Sequence, residues 1–337
     1  MASLTRFNST DIVNDTSRVT TSTWTNNTNA LEAVYTSSTQ ASLTDPTGSG
    51  AHFIDVHLNA STSSVQYSAA YGHKAGSGSK DFTAGTGGSG KSPSRNIYSQ
   101  YRQLAFGSEA QDFNFTDYTP PDIYVININR ANYKHNLKPG SLNLKIGTLE
   151  LTDDSVTATG SSTVTNAGRQ YNIVSGSSGT RLGSNTVQVT DSGSYGFFYP
   201  DSGFIVLNPS CLDATPTDGG ISLATTKASD TANNNHVKLL NKINTGASFI
   251  VDSEEKISST YYFARARNYE YNYTTNPSFT DASGNVLINS MIDNPTVYIT
   301  TVGMYNDAGD LLAVAKLSQP VTKDFTKETL VRVKLDY

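Results

Sequence analysis

Cysteine and charge are scarce in this chain. A lone Cys211 in 337 residues excludes an intrachain disulfide framework and any zinc site built from paired thiolates. Only 16% of the residues are charged, against roughly 25% in ordinary globular chains. With Lys+Arg 24 and Asp+Glu 29, the formal net charge is −5 and no Lys/Arg-dense block occurs. Affinity for a phosphate backbone grows with the number of phosphates neutralised, so nucleic acid is not expected as a main partner. The Ala/Glu/Lys/Leu-rich stretches of helical bundles and coiled coils are missing too. No apolar run approaches the roughly 18 residues of a membrane span. The segment Met1-Ala2-Ser3-Leu4-Thr5-Arg6-Phe7 passes straight into polar Asn8-Ser9-Thr10, without the apolar core of a secretory signal. The expectation is a chain without a membrane partner, made and assembled in the cytoplasm.

What is present is uncharged polarity: Ser, Thr and Asn fill roughly a third of the positions, beside 26 Gly and 19 Tyr. This composition predicts a mainly β chain of antiparallel β-sandwich-like domains with long loops and one or two short helices. On a scale of about 150 residues per domain, the length holds two domains behind an arm. Residues 1–50 read as an extended N-terminal arm, because Thr16 to Thr28 is nearly all Thr, Ser and Asn and too poor in apolar residues to fold alone. Trp24 within it reads as an anchor buried against another subunit. Residues 51–215 read as a central β-rich domain. Its helix, near 93–106, starts with Ser92 as N-cap and Pro93 at the first position, carries Ile97, Tyr101, Leu104 and Ala105 at helical spacing, and stops at Gly107. Asp122 to Asn129 reads as a strand, and Tyr195 to Leu207 as a hairpin around Pro200-Asp201-Ser202-Gly203. Residues 216–337 read as a C-terminal β domain with a short helix at His236 to Ile243. It closes in a meander expected to bury one face through Val297, Ile299, Leu312, Val314, Leu330, Val331, Val333 and Leu335.

Two motifs invite a chemical reading. Gly85-Thr86-Gly87-Gly88-Ser89-Gly90-Lys91-Ser92 satisfies the phosphate-loop pattern letter for letter. No buried strand leads into it, so a flexible loop is the better account. The histidines His52, His57, His73, His135 and His236 are scattered, which gives no metal centre its three or four convergent ligands. No paired carboxylates, nucleophile elbow or Cys/His dyad stands out, so neither enzymatic activity nor a cofactor is expected. The most distinctive pattern runs from Tyr261 to Tyr273. Read as one strand, it places Tyr261, Phe263, Arg265, Arg267, Tyr269, Tyr271 and Tyr273 on a single face. Aromatics with Arg suit a cross-strand ladder or a subunit contact, and such a face could also stack sugars or bases.

The C-terminal run from Thr296 to Ser318, with the core Val302-Gly303-Met304-Tyr305 and Leu311-Leu312-Ala313-Val314-Ala315-Lys316, ends in Val331 to Tyr337. It resembles the closing β module of virion structural proteins from contractile-tailed phages of marine cyanobacteria. Tyr98 to Gly107, Ile123 to Ala131 and Phe197 to Asn208 are similar to segments of the same proteins. The resemblance implies a non-enzymatic virion component of the tail baseplate or a fibre attachment, with a neck, collar or head-decoration protein as alternatives, while the Tyr261 to Tyr273 face motivates a competing reading as a carbohydrate-binding receptor module. It implies other copies of the chain and other virion proteins as partners, and the tyrosine face adds a host-surface glycan as a further expected one.

Overall fold

The computed structural model describes residues 4–24, 35–36, 53–57, 64–76, 94–156, 162–182, 193–213, 220–221, 235–273 and 277–337. The chain is mainly β. It divides into two compact units, Val19–Glu255 and Met1–Arg18 together with Lys256–Tyr337. Residues 216–255, read from sequence as the start of the C-terminal domain, therefore belong to the larger unit.

The larger unit is organised by the strand Asp122–Ile128. Side chains alternate along a strand, so Ile123 and Val125 enter one core while Tyr124, Ile126 and Ile128 enter the other, all of them buried. Phe204–Leu207 pairs with it on one side and Val65–His73 on the other, both antiparallel. The helix α1, Ser94–Phe106, covers one face with Tyr98, Tyr101 and Ala105, and Tyr98 takes the place expected of Leu104, which is exposed. Gly107 ends the helix at φ +70 with its N–H on the Gln103 carbonyl, the left-handed cap that glycine adopts without strain. After the short α2, Pro209–Asp213, the helix α3, Asn235–Gly246, places Leu239, Leu240 and Ile243 in the second core. The expected hairpin forms between Gly196–Tyr199 and Phe204–Leu207. Gly203 sits there at φ +72, and a Cβ would lie 2.3 Å from the Tyr133 hydroxyl. Arg169 grips the turn through Nε and Nη2 on the Asp201 carboxylate, the closest contact being 2.6 Å.

The sheet of this unit curls. From one end its order runs Phe249–Ile250, Asn143–Ile146, Leu149–Asp153, Gly168–Ser177, Gly196–Tyr199, Phe204–Leu207, Asp122–Ile128, Val65–His73, Phe53–His57 and Tyr35–Thr36. In a flat sheet, strands seven places apart would stand roughly 34 Å from each other, at about 4.8 Å per strand. Yet the rings of Phe249 and Tyr67 meet at 5.1 Å, so the two walls face each other across one core. Trp24 closes the junction. Its indole N–H donates to the Phe249 carbonyl at 2.8 Å, and its ring contacts Phe249 and Tyr67 at 5.2 and 6.1 Å. Trp24 is 3% exposed, which corrects the expectation that it buries against another subunit: its partners lie in its own chain.

In the smaller unit, Ser259 to Ala266 of the long strand Asp252–Ala266 pair antiparallel with the closing strand Thr329–Asp336, and Ile12–Ser22 pairs along the other side. The N-terminal segment expected as an arm thus supplies a sheet strand. Val331, Val333 and Leu335 stand opposite Ala264, Tyr262 and Thr260, and the Phe7 ring reaches Tyr262 at 5.6 Å. Val333 is buried while Arg332, Lys334 and Asp336 are exposed, the expected alternation. Val297–Tyr305 and Leu311–Lys323 form a separate two-stranded ribbon. Leu312 and Val314 are 69% and 57% exposed, and Leu330 is exposed as well. This corrects the buried face expected of them: among the described residues the ribbon that carries Leu312 and Val314 has no third strand to cover both sides, and Leu330, in the closing strand opposite Arg265, lies on that strand's exposed face with Arg332 and Lys334.

Candidate functional site

The Tyr261 to Tyr273 face begins as predicted. Tyr261, Phe263 and Arg265 share one side of the long strand, opposite Lys334, Arg332 and Leu330 of the closing strand. The Arg332 guanidinium lies 5.5 Å from the Tyr261 ring centre and the Lys334 ammonium 5.9 Å. Two cations over one ring make this a cross-strand ladder.

The single continuous strand expected through Tyr273 is corrected: the strand ends at Ala266. The Arg267 N–H donates to Glu270 Oε2 at 2.9 Å, the Glu270 N–H donates to the Arg267 carbonyl at 3.0 Å, and the Asn272 amide reaches the Asn268 carbonyl at 2.6 Å. Side chains that satisfy the backbone locally replace the ladder with a turn. Arg267, Tyr269, Tyr271 and Tyr273 therefore leave the plane of Tyr261, Phe263 and Arg265. Tyr269, Tyr271 and Tyr273 stay exposed, at 59%, 42% and 64%. The Tyr269 hydroxyl accepts from Arg267 Nη1 at 2.8 Å, and the Tyr271 hydroxyl pairs with Thr5 Oγ1 at 2.6 Å. The hydroxyls of Tyr269 and Tyr271 are engaged within the chain while all three side chains stay exposed.

Lys323, the last residue of the ribbon, fastens this loop, and nothing in its sequence context pointed to it. Its side chain is fully buried, and the ammonium donates to Asn272 Oδ1 at 2.6 Å and to the Asn268 carbonyl at 3.1 Å. Burial lowers the Lys323 ammonium from its ordinary range, opposed by Glu270, Asp324 and Glu328. Next to it, Asp324 accepts from the Thr326 N–H at 2.8 Å and the Thr326 hydroxyl at 2.5 Å, which with Lys327 holds its carboxyl below the usual range. One buried cation thus links the base of the ribbon to the tyrosine loop. Along the ribbon the Tyr305 ring and the Leu311 side chain approach Gly303, 3.1 and 3.4 Å from where a Cβ would stand. Tyr305, Leu311, Leu312 and Val314 are all exposed. The result is an exposed surface that carries aromatic and aliphatic side chains.

The phosphate-loop match Gly85 to Ser92, with Lys91, lies outside the described residues, as does His52. Among the described residues, no group of three His, Cys, Asp or Glu is placed to hold a metal ion, and no helix is long and apolar enough to cross a membrane. No family model matches the chain, and neither a curated protein nor a solved structure is similar to it.

Proposed function

We propose that this protein is a non-enzymatic structural component of a tailed-phage virion, at the tail baseplate or a fibre-attachment point, where it contacts copies of itself and other virion proteins. The observation that carries the reading is the ribbon: two long strands that, among the described residues, pair only with each other, bearing exposed Tyr305, Leu311, Leu312 and Val314. Unpaired strand edges take up a strand from another chain, and exposed apolar side chains add buried area when they do. The resemblance of the Thr296 to Ser318 run to closing modules of cyanobacterial-phage virion proteins falls on this same ribbon. A charge-poor β chain suits a particle held by many copies of one contact.

The test is incorporation. Particles assembled with Leu312→Asp/Val314→Asp protein should lack it by mass spectrometry, while the isolated variant melts like wild type. Recovery at wild-type stoichiometry overturns the reading. A cryo-EM map of the particle separates the baseplate from a neck, collar or head position.

A further inference from the structure

The larger unit carries a cleft of about 680 Å³ between the C-terminal end of α1, the loop after it, the hairpin strand Thr163–Thr165, and the strands Gly168–Ser177 and Gly196–Tyr199. This volume lies within the range of roughly 300–1,000 Å³ usual for small-molecule sites. Two aromatic rings line it: half-buried Phe106, which packs on Phe113 at 5.0 Å and keeps part of its ring accessible, and buried Phe197, which stacks on Phe115 at 4.9 Å. Around them stand the carboxamides of Gln111, Asn114 and Asn166. Among the described residues none of these three side chains has a hydrogen-bond partner. Gln170 accepts from the Tyr199 hydroxyl at 2.9 Å through its oxygen, leaving its NH₂ without a partner.

The charge of the cleft is already answered. Asp112 is the one ionisable residue of its lining. One of its oxygens takes Arg102 Nη1 at 2.8 Å and the Tyr98 hydroxyl at 3.4 Å, and the other takes the Lys74 ammonium. Burial alone would raise the Asp112 carboxyl, but Lys74 and Arg102 outweigh it and hold it below the ordinary range. An anionic ligand would meet a carboxylate whose cations are committed. A cationic ligand would have to displace them, and a purely apolar one would strip water from three carboxamides without replacing their hydrogen bonds.

We propose that this cleft binds a neutral saccharide. A pyranose has a C–H face that lies on an aromatic ring and vicinal hydroxyls that each donate and accept, which a carboxamide answers with both of its ends. The inference is independent of the virion reading, because it concerns the isolated chain. It also differs from the tyrosine face considered from sequence, whose residues the turn after Ala266 separates.

Saturation-transfer NMR on the full-length protein, with glucose, galactose, mannose, N-acetylglucosamine and their disaccharides as probes and glucuronate as the charged control, tests it. At least one neutral probe should bind. Its affinity should fall about tenfold, or about 1.4 kcal/mol, in Asn114→Ala/Asn166→Ala and stay unchanged in Tyr273→Ala. Should the double variant not fold, Gln111→Ala provides the same comparison. No neutral probe bound, preference for glucuronate, or binding indifferent to the carboxamide variants overturns the proposal, and each of these outcomes leaves the particle experiment to decide the virion reading on its own.

Discussion

The strand Asp122–Ile128 and the ribbon strand Leu311–Lys323 are both rich in apolar residues and both paired antiparallel, yet one is buried on both faces and the other presents Leu311, Leu312 and Val314 to solvent. The difference lies in what surrounds them. The first has α1 over one face, α3 within the opposite core, and a paired strand on either edge. The second has one partner strand and no helix in its own sheet. Apolar content sets how much a strand gains from burial, and the layers around it decide whether that gain is realised inside the chain or is left for another molecule.

The sharpest way to break this comparison is at Trp24. Trp24→Ala removes the group that closes the curled sheet and should destabilise the larger unit by about 3–5 kcal/mol, read as a large loss in melting temperature. A melt unchanged within error would mean that the Phe249 and Tyr67 walls hold without it. Next comes Lys323→Met, which keeps the volume and removes the charge, leaving the Asn268 carbonyl and Asn272 Oδ1 without their donor. A loss of about 1–3 kcal/mol is expected, with hydrogen exchange quickening at residues 267–273 and not in the larger unit. Uniform quickening would deny the local role of the ammonium.

The acid limb of stability separates the regions further. Burial alone would raise the Asp201 carboxyl, but the Arg169 side chain and N–H outweigh it and hold it below the ordinary value. A depressed folded-state pKa gives stability that is complete above the unfolded value of about 3.9 and is lost as pH falls through the folded one. Asp201→Asn should therefore cost stability at neutral pH and flatten the acid limb. Buried Asp153 acts with the opposite sign, since burial raises its carboxyl, and its cost is relieved as pH falls. An acid limb identical in Asp201→Asn and wild type would remove the pair from this account. Least affected should be the isolated Leu312→Asp protein, within about 0.5 kcal/mol of wild type. A larger loss in a thermal melt would mean that Leu312 is covered inside the chain.

Local chemistry made parts of this fold legible. Pro200-Asp201-Ser202-Gly203 announces its hairpin through the residues the turn needs, and the spacing of Tyr101 and Ala105 before Gly107 announces α1. Burial was legible where pattern and surroundings agree, as at Val333, with Val331 and Leu335 half-buried on the same face. Trp24 was misread because its local composition is that of an arm, whereas its partners Tyr67 and Phe249 come from distant strands. Of the tyrosine pattern, Tyr261, Phe263 and Arg265 share a face as read, and the break after Ala266 follows from Glu270 and Asn272 bonding back to the chain. The carboxamides of the cleft come from separated segments, so no spacing marks them.

The contact between Trp24 and Phe249 spans 225 residues. During synthesis at about 5–20 residues per second, the indole waits roughly 10 to 45 s before its acceptor carbonyl exists. The curled sheet therefore stays unsealed at this junction until Phe249, near the end of the larger unit, emerges. Because the chain has one tryptophan, its fluorescence is a clock for that final closure.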